Sequence, residues 1–300
     1  MDVRLPQRGE CFITSNGRHQ LVWSRLVERR HSICFPQVYD GADPEPLPGS
    51  RRGKRFFLKL AHPGKPDSPA SIRTEAALLK LPAVRECRAI AELVAEGEWQ
   101  GLPFVVKRQV PGPTLAQALA DRVDLPAHQV GRLLHEMALA AEACRQVGYC
   151  VADWSPTNVN VLGGMLLDLG GAVRFGEEVR YAREESPDRG LLASPAVDVR
   201  GVCMLALDVY RGEALARLRG GEESYEQTIA LLKGRRPADC PADLWEVIVA
   251  GLGGRSGPPL DIAADLLHAL SPWRPAEPPP PPPPKPRRRG LLGRVLGREK

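Results

Sequence analysis

Apolar residues in the first hundred positions recur at strand spacing. The run Arg55-Phe56-Phe57-Leu58-Lys59-Leu60 reads as a strand, and Leu102–Lys107 (LPFVVK) reads as another, bounded by Gly101 and a later Pro-Gly. Between them the period lengthens. Ser71–Leu81 (SIRTEAALLKL) places Ile72, Ala76 and Leu79 on one helical face, and Ser71, with Thr74 three residues on and then Glu75, predicts a capping-box start. From Thr114 onward the helical period dominates. It predicts helices over 114–122 and 127–147, the second with Val130, Leu133, Leu134, Met137, Ala141 and Cys144 in one stripe and Gly148 as its stop. Further helices are predicted at roughly 197–218, 223–233, 241–251 and 260–270. The whole pattern predicts an α+β chain: an extension over 1–20, a small β-rich part over 21–107 and a larger helical part over 108–270.

Two segments break this pattern. Asp40–Arg52 (DGADPEPLPGSRR) reads as a solvated loop joining two strands. Residues 271–286 hold ten of the chain's 30 prolines, seven of them in succession from Pro278 to Pro284, which dictates an extended polyproline II spacer and ends the folded part near Leu270. Beyond the spacer, Arg287–Lys300 (RRRGLLGRVLGREK) gathers Leu291, Leu292, Val295 and Leu296 on one face if helical, with arginines around it. A basic amphipathic segment of this kind suits an anionic membrane surface or a partner protein's groove. Gly290, Gly293 and Gly297 each cost a helix about 1 kcal/mol, so its folding would have to be driven by binding. The other reading is a structureless solubilising tail.

Charge follows the same division. Lys plus Arg (41) against Asp plus Glu (36) gives +5, but Lys285–Lys300 alone holds seven basic residues and one acid, so the other 284 residues sum to −1. A nucleic-acid binder needs its basic face on the folded part, so nucleic acid is not an expected partner. No run of about 18 apolar residues occurs, and the first twenty residues lack an apolar core. A cytoplasmic location is therefore expected, with the tail permitting peripheral attachment at the inner face of a membrane. The seven cysteines are scattered without a C-x-x-C pair and read as small buried thiols in a reducing compartment.

The stretch Val151–Asp168 (VADWSPTNVNVLGGMLLD) concentrates the chemistry. Asp153 is followed five residues later by Asn158, then by a short strand pair turning at Gly163-Gly164, then by Asp168-Leu169-Gly170. Two carboxylates and a carboxamide are oxygen ligands, suited to a hard cation such as Mg²⁺ (or Mn²⁺) rather than to zinc.

These residues resemble the protein-kinase superfamily, and most closely its bacterial eukaryotic-type serine/threonine kinases. Asp153 and Asn158 match the family's H-R-D-x-x-x-x-N loop, and Asp168-Leu169-Gly170 matches D-F-G with Leu for Phe. Lys59 stands where the family has its phosphate-binding lysine, and Glu75 where that lysine's ion-pair partner belongs. The stretch VKRQVPGPTLAQAL resembles the hinge, and Ser194–Val199 resembles the end of the activation segment. The resemblance runs from about residue 21 to 270. It implies a two-lobed kinase-like fold with ATP and Mg²⁺ between the lobes, and transfer of the γ-phosphate to Ser/Thr hydroxyls of a protein substrate that the sequence does not identify. It also implies roles: Asp153 as the base, Lys59 and Glu75 at the phosphates, Asn158 and Asp168 on the metal, and Asp198 as a structural acceptor for the loop's backbone N–H groups.

The chain also departs from the family. Val151 and Ala152 replace the His and Arg, and Ser155 stands where typical members carry a lysine. No G-x-G-x-x-G precedes Lys59; Arg29 and Arg30 occupy the expected turn and are candidates to reach phosphates with their side chains, the other reading being a solvated hairpin tip. Two alternatives stay open on these grounds: a pseudokinase that scaffolds or senses nucleotide without efficient turnover, and a small-molecule kinase of the aminoglycoside type.

Overall fold

The computed structural model describes residues 4–7, 10–15, 20–23, 25–29, 32–40, 56–180, 188–210, 227, 235–253 and 263–275. Outside them lie Arg30, most of the 40–52 loop, the expected helical stretches over 211–218 and 223–233 apart from Gln227, most of the proline spacer and the Arg287–Lys300 tail.

The fold is mixed α+β. Seven strands form one antiparallel sheet: β1 (Phe12–Ile13), β2 (Gln20–Trp23), β3 (Val27–Glu28), β4 (Ser32–Asp40), β5 (Phe56–Ala61), β6 (Leu93–Trp99) and β7 (Leu102–Arg108). The order is β1-β2-β4-β5-β7-β6, with β3 also on β4. An antiparallel bridge from Thr14 to Gly97 then brings the first strand against the last. A Cβ on Gly97 would sit 2.7 Å from the Ile13 carbonyl oxygen, so the missing side chain is what admits the β1 backbone. The extension over 1–20 thus contributes a strand of its own, and Phe12 packs edge-on to Phe35 and Phe104 at 4.9 and 5.3 Å between ring centres.

Helix α1 (Ser68–Lys80) covers the sheet with Ile72 and Ala76 and packs Leu78 and Leu79 into the core of the helical part. Its start lies three residues before the expected Ser71. Asp67 occupies the cap without a side-chain bond and Pro69 sits in the first turn, where its missing N–H is harmless. Ser71 is therefore released from capping, and it works elsewhere. The capping box occurs instead at Thr114, whose side chain and that of Gln117 bond reciprocally at the start of α3 (Leu115–Ala120). The four-residue helix α2 (Pro82–Arg85) links α1 towards β6.

The second half is built on α4 (Ala127–Gln146), whose expected stripe from Val130 to Cys144 is buried. Gly148, at φ 80, supplies the left-handed residue that ends it. Against α4 pack α5 (Pro195–Tyr210) and α7 (Ala263–Ala269), with α6 (Ala242–Gly251) against α5. The packed structure continues past Leu270: Ser271–Trp273 makes a 3₁₀ turn, and a Cβ on Gly131 would meet the Trp273 ring at 2.5 Å. No helix of the described residues is long and apolar enough to cross a membrane.

Two small ladders pack against α3, α4 and α5. Strand β8 (Tyr149–Cys150) pairs with β11 (Val173–Arg174), and nested within them β9 (Val159–Asn160) pairs with β10 (Met165–Leu166). This nesting makes two loops, 151–158 and 167–172, leave the ladders side by side. Leu167 N donates to Asn158 O at 2.7 Å and ties them together, while Leu166 N to Ala89 O at 2.8 Å ties β10 to the segment before β6.

Candidate active site

Strand β5 is central, paired through Lys59 with Cys34 on β4 and Val105 on β7. Nearly every residue of it is buried, Lys59 included at 6% exposure. An ammonium at that depth must be paired. Lys59 Nζ donates to Glu75 Oε2 at 3.0 Å and to both oxygens of Asp168 at 2.5 and 2.6 Å. Burial alone would depress the lysine's pKa, but Asp168 and then Glu75 outweigh it and hold the ammonium well above its ordinary value. For Asp168 burial pushes the other way, and Lys59 followed by Lys107 holds the carboxyl well below its ordinary value. Its side chain keeps 28% exposure, so one side of this pair reaches solvent.

Glu75 sits on the apolar face of α1, between Ile72 and Leu79, with no exposure. It serves a second lysine. Lys107 Nζ, at the end of β7, donates to Glu75 Oε1 at 2.5 Å and to the Leu167 carbonyl at 2.5 Å. Nothing in the local pattern singles Lys107 out: an apolar run ending in Lys ordinarily lets the chain snorkel to water. The signal was that no residue of LPFVVK alternates, which marks a strand buried on both faces.

Glycine completes this cluster. A Cβ on Gly170 would lie 2.7 Å from Lys59 Nζ and 2.8 Å from Ser71 Oγ. Gly170 N donates to Asp168 Oδ1 at 2.7 Å, and Ser71 Oγ donates to Gly170 O at 2.6 Å. The Asp168 loop is thereby clasped to helix α1.

Loop 151–158 places the other candidates. Asp153 and Asn158 are half-buried neighbours, Asn158 Nδ2 donating to Asp153 Oδ2 at 3.0 Å. The bend before them is strained: Ala152 has φ 61, and Asp153 N closes onto Val151 O at 2.7 Å. Such a residue costs about 1–3 kcal/mol and persists only when its surroundings hold it. The holder is Asp198, near the start of α5. It accepts from Val151 N and Ala152 N at 3.0 Å each, from Trp154 Nε1 at 2.8 Å and from Cys150 Sγ at 3.2 Å. Burial still pushes its carboxyl above the ordinary value, against the pull of these donors. Trp154 escaped the sequence reading, as did Gly201, where a Cβ would fall 2.1 Å from the indole.

Lys59, Glu75 and Asp168 are thus in direct contact, and Asp153 and Asn158 form a second contact group joined to it through the Leu167–Asn158 bond. Arg29 is exposed at the turn after β3, its N–H bonded to Ser32 O at 2.8 Å. Arg30 lies outside the described residues.

The chain matches no family model and no curated protein.

Among the described residues no group of three or more His, Cys, Asp or Glu is arranged for a metal ion. The oxygen donors Asp168 and Asn158 nevertheless suit a hard cation: Asn158 commits its nitrogen to Asp153, its Oδ1 meets only Thr157 Oγ1 at a long 3.5 Å, and Asp168 is an ionised carboxylate that stays partly exposed.

Proposed function

We propose that the chain has a two-lobed protein-kinase-like fold and transfers the γ-phosphate of ATP to Ser/Thr hydroxyls of a protein. The observation that carries this reading is the Lys59 contact: a buried ammonium bonded at once to Glu75, 16 residues away, and to Asp168, 109 residues away. Phosphoryl transfer asks the protein mainly for positioning and charge. Lys59 would meet the phosphates, and Asp168 with Asn158 Oδ1 would hold Mg²⁺ or Mn²⁺, which when bound neutralises phosphate charge. Asp153 would take the proton from the attacking hydroxyl as its oxygen bonds to phosphorus and ADP leaves.

Full-length protein incubated with labelled ATP, Mg²⁺ or Mn²⁺ and protein substrate tests it. Transfer above that of Asp168→Ala is expected; equal labelling by both would remove the enzyme claim.

A second reading is a pseudokinase, a binding module without efficient turnover. Its support is that both oxygens of Asp168 are taken by Lys59. Thermal shift with millimolar ATP and Mg²⁺ bears on both readings, since an unmoved Tm argues against any nucleotide role. For Arg287–Lys300 the proposal is attachment to anionic membranes, tested by liposome sedimentation with and without those residues. Equal partitioning would sink it.

A further inference from the structure

One carboxylate on α1 serves two lysines. A pair of Lys59 and Glu75 needs only β5 and α1, so Lys107, contributed by β7 and buried to 3% exposure, is a cation beyond what that pair requires. The two lysines do not compete: Lys59 takes Oε2 and Lys107 takes Oε1. The further bond from Lys107 to Leu167 O fixes it beside the Asp168 loop.

The charges then count in an informative way. Lys59 and Lys107 against Glu75 and Asp168 make a neutral cluster. If Asp168 turns to a metal, two cations and one carboxylate remain, a surplus of one positive charge. With a neutral side chain at 107 the remainder would be zero, and Glu75 would neutralise Lys59 when an anion needs it.

We propose that Lys107 is a positioning residue for phosphate binding, holding Glu75 so that Lys59 keeps its charge for the ligand. The proposal rests on the nucleotide reading above. It also gives the site a source of anion attraction where Leu26–Phe35 has no glycine to bring backbone N–H groups close to phosphates and Ser155 supplies no cation.

Calorimetric affinities of the full chain for adenosine, ADP and ATP with Mg²⁺ test it. Lys107→Gln retains donors for Glu75 and Leu167 while removing the charge. Its adenosine affinity should match that of the wild type, ADP should weaken, and ATP should weaken most, by about tenfold or more; Lys107→Arg should restore the series. Equal weakening of all three ligands would make Lys107 a packing residue and overturn the proposal. Should circular dichroism show Lys107→Gln unfolded, Glu75→Gln carries the test. By the same charge count it should tighten ATP relative to adenosine, and a weakening there would overturn the assignment. A wild-type chain that binds none of the three ligands fails the nucleotide reading itself, and the proposal with it.

Discussion

Asp168 and Asp198 flank the same pair of loops and are held by opposite means. Asp168 meets an ammonium with both oxygens and keeps 28% of its side chain exposed. Asp198 is 2% exposed and accepts only from neutral donors: two backbone N–H groups, an indole and a thiol. The ionisation follows the partners, Asp168 shifting down and Asp198 up. Four dipoles leave a buried carboxylate short of compensation, while lysines more than compensate a partly open one. The four-dipole arrangement braces a strained backbone; the lysine arrangement keeps a carboxylate ionised and partly exposed.

Truncation should separate the two roles most widely. Asp198→Ala orphans four buried donors and frees the Ala152 bend, and should cost about 3–5 kcal/mol of unfolding free energy in urea titrations. Asp168→Ala should cost only about 1–2 kcal/mol, because Lys59 retains Glu75, while lowering phosphoryl transfer about 10³-fold. Equal stability losses in the two variants would erase the distinction.

The two glycines offer a finer cut. Gly201→Ala drives a methyl into Trp154 and should destabilise by about 1–3 kcal/mol. Gly170→Ala meets side-chain ends that can move, Lys59 Nζ among them, so it should weaken ATP binding more than it lowers Tm.

pH sharpens the contrast because the signs oppose. Asp198, raised above 3.8, favours the folded state in its protonated form, so its cost is full above the folded pKa and is relieved as pH falls through that value. Asp168, lowered from 3.8, stabilises fully above that value and loses its contribution as pH falls below it. The wild type should therefore gain stability relative to Asp198→Asn on acidification towards pH 4 and lose stability relative to Asp168→Asn below it, as read by urea titrations across that range. The smallest effect should be that of Ser71→Ala, about 0.5–1.5 kcal/mol from the lost bond to Gly170 O, read by denaturant midpoint.

Sequence spacing brought out the residues whose neighbours are local. The FFLKL strand, the α1 face carrying Glu75 and the Asp153-to-Asn158 interval all follow short periods, and the Gly163-Gly164 turn stands between β9 and β10 as its residues dictate. It missed those whose meaning lies in distant partners. Lys107 finds its acceptors 32 and 60 residues away, and Ser71 finds its own 99 residues away. The pattern around Ser71 predicts a cap because Ser before an apolar period caps more often than it clasps a loop. Trp154 stayed hidden because a tryptophan in a polar loop gives no sign of the carboxylate it will meet. Phe12 stayed hidden because a two-residue strand has no period at all.

The bridge from Thr14 to Gly97, with Ser15 N on Glu96 O at 2.8 Å, has a consequence for association between molecules. Strand β6 would otherwise end the sheet with unpaired backbone groups, an invitation to another chain's strand. The first strand takes part of that place within its own molecule, at Glu96 and Gly97, so cleavage after Ser15 would lengthen the adhesive rim that the sheet offers another chain.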